Sequence, residues 1–530
     1  RQLSGTGTLV KDGTGTLLVT ANSGGFTGPT TVSGGTLSVG NPANPGAVLG
    51  GPVTVGPGGT LTGSGTIGGL NLSGTLLSGG DSGSITVGGN ATFNPGSTWQ
   101  VTPGSTGTVT PVTVGGTAVV APGSTLQLVR APDLPLFVDI PLINAGGGLS
   151  GQFTNITSDY AFIDPNVSVS AGGLSVSFGR NTVSMVDIAV TPNEQASAAG
   201  VDGLPTTSPI LQAVLRLPDD PQAVRTAFAS LSGESHATTA TAMLDSRFLM
   251  SGISSHLRGD SQDTRVGDTT VWIDGDSTAN SVRREDDGVM AGAERRIGER
   301  SLIGVAVGNQ DLESWSRAND DRADIDATHV GVYAQADWSA FTLQGGVDYA
   351  DYRVDSTRRV ILPGVMEERL SSEYDATATT VSLEAAWNLQ VGTAVYSPFV
   401  AAAYTHLKTD GFSERGGIAG LSVDSAKDEY TTSTVGVRGR WELGHQAGLY
   451  ASVGWRHAYG DRQVQRSAGF IGAGTSFSVH SVTLAKNAVV GEVGVSLITS
   501  PSSRMALSLQ GLNGDGQTAY GGQVTWGWSF

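Results

Sequence analysis

The chain has 530 residues, a net charge of −17 and no cysteine. Its length allows two or three domains, its acidic balance argues against holding nucleic acid or an anionic lipid surface through a basic face, and the missing thiols exclude disulfides, thiolate metal sites and a cysteine nucleophile. Gly supplies 77 residues while charged residues reach only 15% and aromatics 6%, a bias toward turn-rich β structure.

Residues 1–190 carry eleven charged side chains and no His; residues 191–530 hold the other 66 charges and all seven His. That break marks a domain boundary. Within the first segment short phrases recur: "GTGTLVKDGTGTLLVT" (Gly5 to Thr20), "TTVSGGTLSV" (Thr30 to Val39), "PVTVGPGGTL" (Pro52 to Leu61), "SITVGGNATF" (Ser84 to Phe93) and "PVTVGGTAVV" (Pro111 to Val120). Each is a few β-branched residues, a Gly corner and a second short strand. Self-similarity at roughly 20 to 30 residues predicts a parallel solenoid whose rungs bury their faces against one another. The alternative is a Gly/Ser/Thr-rich antiparallel sandwich.

From "TPNEQASAAGVDGL" (Thr191 to Leu204) the pattern becomes helical. "DPQAVRTAFASL" (Asp220 to Leu231) opens on an acid and Pro and spaces Val224, Phe228 and Leu231 as one helix face. Next, Ser235 to Leu257 reads as one slender helix of small side chains, with Leu249, Ile253 and Leu257 in a stripe.

From about Thr269 the period is two. Twelve strands are predicted, at 269–278, 286–297, 300–309, 325–338, 340–353, 374–390, 393–408, 429–443, 446–459, 486–499, 503–513 and 519–530. Most exceed the five or six residues typical of soluble sheets and suit a tilted crossing of about 30 Å of hydrocarbon. In the last strand Tyr520, Gly522, Val524, Trp526, Trp528 and Phe530 share one face; Gly521, Gln523, Thr525, Gly527 and Ser529 share the other. Eighteen of the twenty Trp and Tyr residues lie beyond residue 270, as interfacial girdles require. A soluble β-sandwich would alternate similarly; strand number, length and the terminal aromatics favour a membrane barrel.

Twelve strands should enclose a bore between the side-chain-filled eight and the open sixteen, and an α-helix about 10 Å across could occupy it. The lumen-facing candidates are Glu294, Arg296, Gln335, Asp337, Asp348, Glu384, Arg438, Arg440, Arg456 and Glu492, placed to bond the helix and hold water, each also readable as a plain wall charge.

Five stretches in order resemble the C-terminal part of classical (type Va) autotransporters: the repeat "SGTGTLVKDGTGTLLVTANSGGFTGPTTVSGGTLSV", "GQFTNITSDYAFIDPNVSV", the linker "TPNEQASAAGVDGL", "LSGESHA" followed by "LDSRF", and the terminal "TWGWSF". The resemblance implies an all-β fold with a short α linker: a right-handed parallel β-helix at 1–190, a helical linker at 191–268 with a pore helix at about 235–257, and a 12-stranded antiparallel transmembrane β-barrel at 269–530. It further implies an outer-membrane translocator exporting its own passenger, with residues 1–190 at the cell surface. By the same resemblance, residues of about 130–190 correspond to the region that in the family often helps the β-helix fold outside the cell. The implied partners are outer-membrane lipid, periplasmic chaperones and the barrel-assembly machinery, which would read Trp526, Trp528 and Phe530; the expected state is a monomer without nucleic acid. The chain begins at Arg1 with neither Met nor a signal peptide, so it is expected to be part of a longer precursor.

Some relatives cut themselves at an Asn in the lumenal helix, but Leu231 to Leu257 contains no Asn, so that chemistry is not expected. Glu234 and Asp245 are candidates for another cleavage, with a helix cap or a lumenal salt bridge the favoured role. The His residues are scattered, and no H-E-x-x-H, G-x-S-x-G or P-loop occurs. No catalysis, cofactor or metal is therefore expected within this chain. Upstream, the resemblance leaves open a subtilisin-like serine protease or an adhesin; a diffusion porin is the remaining alternative.

Overall fold

The computed structural model describes residues 2–80, 83–104, 107–260, 267–280, 284–316, 320–338, 340–444 and 446–530, with backbone alone at 259 and 260. Part of the linker, 261–266, thus lies outside the described residues. Two compact units form. One comprises Arg1–Ile188 with Pro205–Ala227 and Leu362–Met366; the other comprises Ala189–Leu204, Phe228–Ile361 and Glu367–Phe530. The stretch read as a single linker is divided between them.

The first unit is built on parallel ladders. Strands Thr16–Val19, Gly35–Val39, Gly59–Thr62, Thr75–Gly79, Thr98–Thr102, Thr125–Leu128 and Asn155–Ser158 stack in one sheet. Their register places Thr16, Thr36, Thr60, Thr75, Thr98 and Thr125 in one row, and Leu17, Leu37, Leu61, Leu76, Trp99 and Leu126 in the next. From Leu37 onward the apolar row is fully buried. Each rung is covered by its neighbours, which is why the chain writes the same phrase repeatedly. A second sheet runs through Leu9–Lys11, Thr30–Val32, Val48–Val55, Thr66–Leu72, Thr86–Val87, Val112–Val114 and Ile140–Ala145.

Gly35 shows why the corners need glycine. Its φ is +63°, and a Cβ there would stand 2.4 Å from the Gly13 carbonyl oxygen. Beside it Lys11 is buried, its ammonium donating to the carbonyls of Asp12, Gly13 and Gly34. The parallel stack ends in an antiparallel hairpin, Ile163–Ser170 with Gly173–Arg180, whose second strand also pairs antiparallel with Ile140–Ala145. This hairpin covers a ladder edge that would otherwise remain open.

In the second unit twelve long strands close a barrel: Thr269–Asn280, Arg284–Gly298, Ser301–Ser316, Asp321–Trp338, Phe341–Leu362, Met366–Trp387, Ala394–Thr409, Ala426–Glu442, Ala447–Gly460, Asn487–Ser500, Ser503–Gly514 and Gln517–Ser529. First pairs with last, and sixth with seventh, so the main cylinder has no free edge among the described residues. Outward residues such as Val305, Val332, Leu383, Val435 and Trp526 are exposed along the wall, while their alternating neighbours are enclosed.

Two differences from the sequence reading stand out. The fifth and sixth strands each run 22 residues, where the reading ended one at 353 and began the other at 374. At about 3.4 Å per residue they span roughly 75 Å, more than twice the hydrocarbon thickness, so this hairpin rises past the rim. Charged runs such as "DSTRR" and "MEERL" resemble loops, but Val354, Val360, Leu362, Leu370 and Tyr374 maintain a buried row through them. The reading also missed a four-stranded sheet made by the loops at the same end: Phe412–Ser413, Leu421–Val423, Gln465–Phe470 and Phe477–His480.

Besides a single turn at Met185–Ile188, helices at Pro192–Asp202, Pro209–Leu215, Pro221–Leu231, Glu234–Leu244 and Phe248–Asp260 make up the α part among the described residues. The first carries a capping box: Glu194 N–H donates to the Thr191 hydroxyl, and the Glu194 carboxylate accepts from Thr191 N–H.

Candidate functional site: a barrel lumen plugged by two helices

The segment 235–257, read as one helix, is two. It breaks at Asp245–Arg247, where three consecutive polar residues turn to wall partners. Asp245 accepts from Gln517 (3.1 Å), Ser246 donates to Gln310 (3.0 Å) and Arg247 donates to Thr432 (2.9 Å). These bonds replace helix continuity. Asp245 also faces Arg456 at 3.9 Å, and Glu234 stands in the first turn of its helix.

The upper helix, Glu234–Leu244, is buried on nearly every side, and its Ala240, Ala242, Met243 and Leu244 join an apolar cluster with Leu312, Ile325, Tyr352, Val354 and Tyr374. Small side chains let it fit within the wall. The lower helix instead has one apolar seam. Phe248, Leu249, Met250, Ile253 and Leu257 pack with Trp272, Met290, Leu302, Ala306 and Tyr333 on the first four strands. The helix also borders a cavity of about 310 Å³, lined in part by Ser251, Ser255, Glu384, Arg456, Glu492 and Gln510. The helix is held to one side of the bore by apolar contact and faces polar groups on the other.

Hydrogen bonds tie that polar side down. Glu492 accepts from Ser255 (2.9 Å) and from Arg258 (2.8 Å). His256 stacks on Trp272 at 4.7 Å and approaches Glu294 at 3.3 Å; Trp272 donates to the Tyr333 hydroxyl (2.8 Å), which donates to Glu294 (3.0 Å). Two glycines make room for these rings. A Cβ at Gly292 would lie 2.4 Å from the Trp272 indole, and one at Gly304 would lie 2.2 Å from the Tyr333 ring.

Each sequence-predicted candidate has a definite place. Glu294 and Glu492 meet the helix as described. Asp348 pairs with His329 (3.1 Å), which also contacts Gln310. Glu384 is in an ion pair with Arg438 and accepts from Gln344. Gln335 donates to Asp337, which also accepts from Thr342. Arg296 is buried with one guanidinium nitrogen 3.4 Å from the Glu299 carbonyl oxygen, Arg440 is half-buried, and Arg456 faces the helix break. Glu294, Arg456 and Glu492 are thus drawn to the helices, while Gln335, Asp337, Asp348, Glu384 and Arg438 bond to other wall residues. Trp526, Trp528 and Phe530 point outward, the two indoles stacked at 5.2 Å.

Several lumen groups escaped the sequence reading. Asp274 accepts from Gln523 and Thr525, Asp286 pairs with Arg284, and Trp272 turns inward and is fully buried. Strand parity carries the signal for all three, since Thr270, Trp272 and Asp274 alternate with the exposed Val271 and Ile273, and Asp286 lies between the exposed Glu285 and Asp287.

Past the membrane-spanning wall, Glu414, which follows the first short strand of the loop sheet, is buried against Arg358 and His236. Burial alone would push its carboxyl up; the Arg358 guanidinium, with His236, outweighs that and holds it well below the usual carboxylate range.

An oily cylinder with a polar bore occupied by its own preceding helices defines a plugged membrane β-barrel, here joined in sequence to a parallel β-solenoid. Residues 264–510 match the family model described as the autotransporter beta-domain. The barrel is thus an autotransporter translocator domain, a family whose place is the outer membrane. It is 24% identical to an extracellular serine protease of Serratia marcescens over 99% of this chain and 55% of that protein. It is 27% identical to the esterase EstA of Pseudomonas aeruginosa over 37% of this chain and 31% of that protein. The chain therefore spans about half the length, or less, of these curated relatives. Among solved structures it is similar to the translocator domain of autotransporter NalP from Neisseria meningitidis, at 17% identity, covering 56% of this chain and 99% of that one with a TM-score of 0.45.

Proposed function

We propose that the barrel exports the solenoid, and any passenger preceding it, to the outer face of the outer membrane, and that the two lumen helices are the segment left in the bore when transport ends. The carrying observation is the fit of Glu234–Asp260 to the bore: small side chains within the enclosed upper part, an apolar seam below, and polar ties to Glu492 and Glu294. Stacking rungs supply a direction of travel, because each one formed outside buries a row such as Leu37, Leu61 and Leu76 and opposes retreat. The test is to express the chain behind a signal peptide in a Gram-negative host and treat intact cells with protease. Residues 1–190 should be digested or antibody-accessible from outside. Their confinement to the periplasm, with a folded barrel in the membrane, overturns the reading.

The same reading gives the terminal Trp526, Trp528 and Phe530 the role of a signal to the barrel-assembly machinery after periplasmic chaperones have held the chain. It also makes the translocator a monomer, since closure leaves the barrel wall no free strand edge among the described residues for a second copy to pair with. Catalysis is assigned to a passenger upstream. The extracellular serine protease of Serratia marcescens aligns along 99% of this chain while exceeding it in length, which favours a protease over an adhesin or porin. Protease assays on the full-length precursor, with and without a serine-directed inhibitor, separate these readings.

A further inference from the structure

We propose that the loop sheet is a latch: through Glu414 it grips the linker at Ser230–His236, fixes the lumen helices in the bore and sets how often the bore opens. This deepens the translocator reading and rests on the bore being a conduit.

The grip converges on one carboxylate. Glu414 Oε1 accepts from Arg358 Nε (2.7 Å) and meets His236 Nε2 (2.8 Å), while Oε2 accepts from Arg358 Nη2 (2.6 Å) and from Leu421 N–H (2.8 Å). Arg358 also donates to the carbonyls of Ser230 (2.6 Å) and Ala419 (3.0 Å). The side chains of Arg358 and Glu414 are each 1% exposed. A single buried ion pair therefore joins the linker, the tall fifth strand and the loop between the seventh and eighth strands.

Further contacts act at the same place. The Ser230 hydroxyl donates to the Ile361 carbonyl and accepts from Ile361 N–H, adding the linker to the hairpin edge. The His236 ring meets Phe412 edge-on at 4.9 Å, and Phe412 stacks on Tyr374 at 4.0 Å. Gly233 has φ +70°, and a Cβ on it would be 2.6 Å from Leu421, so only glycine brings the linker this near. Asn193 exchanges hydrogen bonds with the backbone of His480 in the fourth strand of the loop sheet (2.8 and 2.9 Å). The "LSGESHA" stretch thus supplies Ser230's neighbours, Gly233 and His236 to one docking surface.

A buried, fully bonded carboxylate makes such a grip close to all-or-none, because withdrawing one partner leaves a charge stranded away from water. The partners on the loops and the tall hairpin can engage Ser230–His236 only once the linker stands in the mouth of the barrel. The latch therefore closes when the last transported residues have passed.

The test is hydrogen exchange on the full chain in detergent. In the wild type, amides of 230–244 and 410–423 should exchange as one unit. Glu414→Gln should speed both segments on the order of a hundredfold, leave 269–280 and 517–529 unchanged, and multiply open events in planar bilayers. Arg358→Met should do the same and serves where the first variant yields no heat-modifiable barrel. Exchange of 410–423 alone, with 230–244 and conductance unmoved, overturns the latch; so does a wild type in which the two segments exchange more than about tenfold apart. A latch that behaves as described in cells that fail to expose residues 1–190 would sink the export reading alone.

Discussion

Phe530 and Thr269 exchange backbone hydrogen bonds, each N–H donating to the other's carbonyl at 3.0 Å. The last residue of the chain thereby completes the seam between the first and last barrel strands, and its ring faces outward at 76% exposure. One residue serves two needs: backbone pairing that leaves no unsatisfied groups at the seam, and apolar surface for lipid. Removing Phe530 should lower the yield of heat-modifiable barrel several-fold, by losing two hydrogen bonds of about 1 kcal/mol each and the ring's apolar burial of about 2 kcal/mol. Phe530→Ala, which retains the backbone pair, should fall between. Equal yields for all three chains would show that the seam does not depend on this residue.

The lower helix is held chiefly by its seam. Ile253 is 3% exposed and Leu249 is fully buried, so each change to Ala should cost about 2 to 5 kcal/mol of helix docking. Conductance in planar bilayers should become larger and steadier in the double variant, and larger still when 235–257 are deleted. A deletion that leaves conductance at the wild-type level would place the block elsewhere.

The Trp272 and Gly292 contact makes a sharper test, because the two changes should not add. Gly292→Val drives a Cβ into the indole and should lower the temperature of the gel shift by several degrees. Trp272→Ala should weaken the barrel alone yet recover part of the loss when combined with Gly292→Val, since the glycine is then no longer required. Strictly additive losses would mean that the glycine serves some other contact.

Much of this barrel was legible because lipid imposes a strict alternation. A strand with lipid outside and water within shows apolar and polar residues at period two, and the twelve strands fall close to where that period places them. The legible part ended where lipid ended. Above the rim the fifth and sixth strands pair through charged residues, and Phe412, Leu421 and Phe477 belong to strands of two to four residues, too short to show a period. The lumen was legible by parity alone. Alternation indicates that Glu294 and Glu384 face inward, but whether each meets the helix or another wall residue depends on the helix's position. That position is set by the stripe Leu249, Ile253 and Leu257, which packs against Trp272 and Tyr333, and parity alone does not show which inward residues will meet that stripe.

In the solenoid, Leu61 stands between Leu37 and Leu76 in a row without solvent, so Leu61→Ala should cost about 2 to 5 kcal/mol. Because rungs are stabilised by their neighbours, the loss should spread along the stack and leave the barrel intact. Limited proteolysis of surface-displayed chains should then trim residues 1–190 faster with the same amount of barrel. Unchanged trimming would argue that the rungs are held by something other than this row.

Acid should loosen the loop sheet before the barrel. A free glutamate has a pKa of about 4.3, and Glu414 in the folded chain lies below that range. Its contribution is therefore fully present above about pH 5 and is lost as pH falls below 4 toward the folded value, since protonation favours the unlatched state. Amides of 410–423, corrected for the intrinsic pH dependence of exchange, should lose protection as the pH falls from 5 to 3. In Glu414→Gln the same amides should already be less protected at pH 5 and show a flatter profile. If the wild-type and variant profiles run parallel across that interval, the carboxylate is not what the acid is titrating.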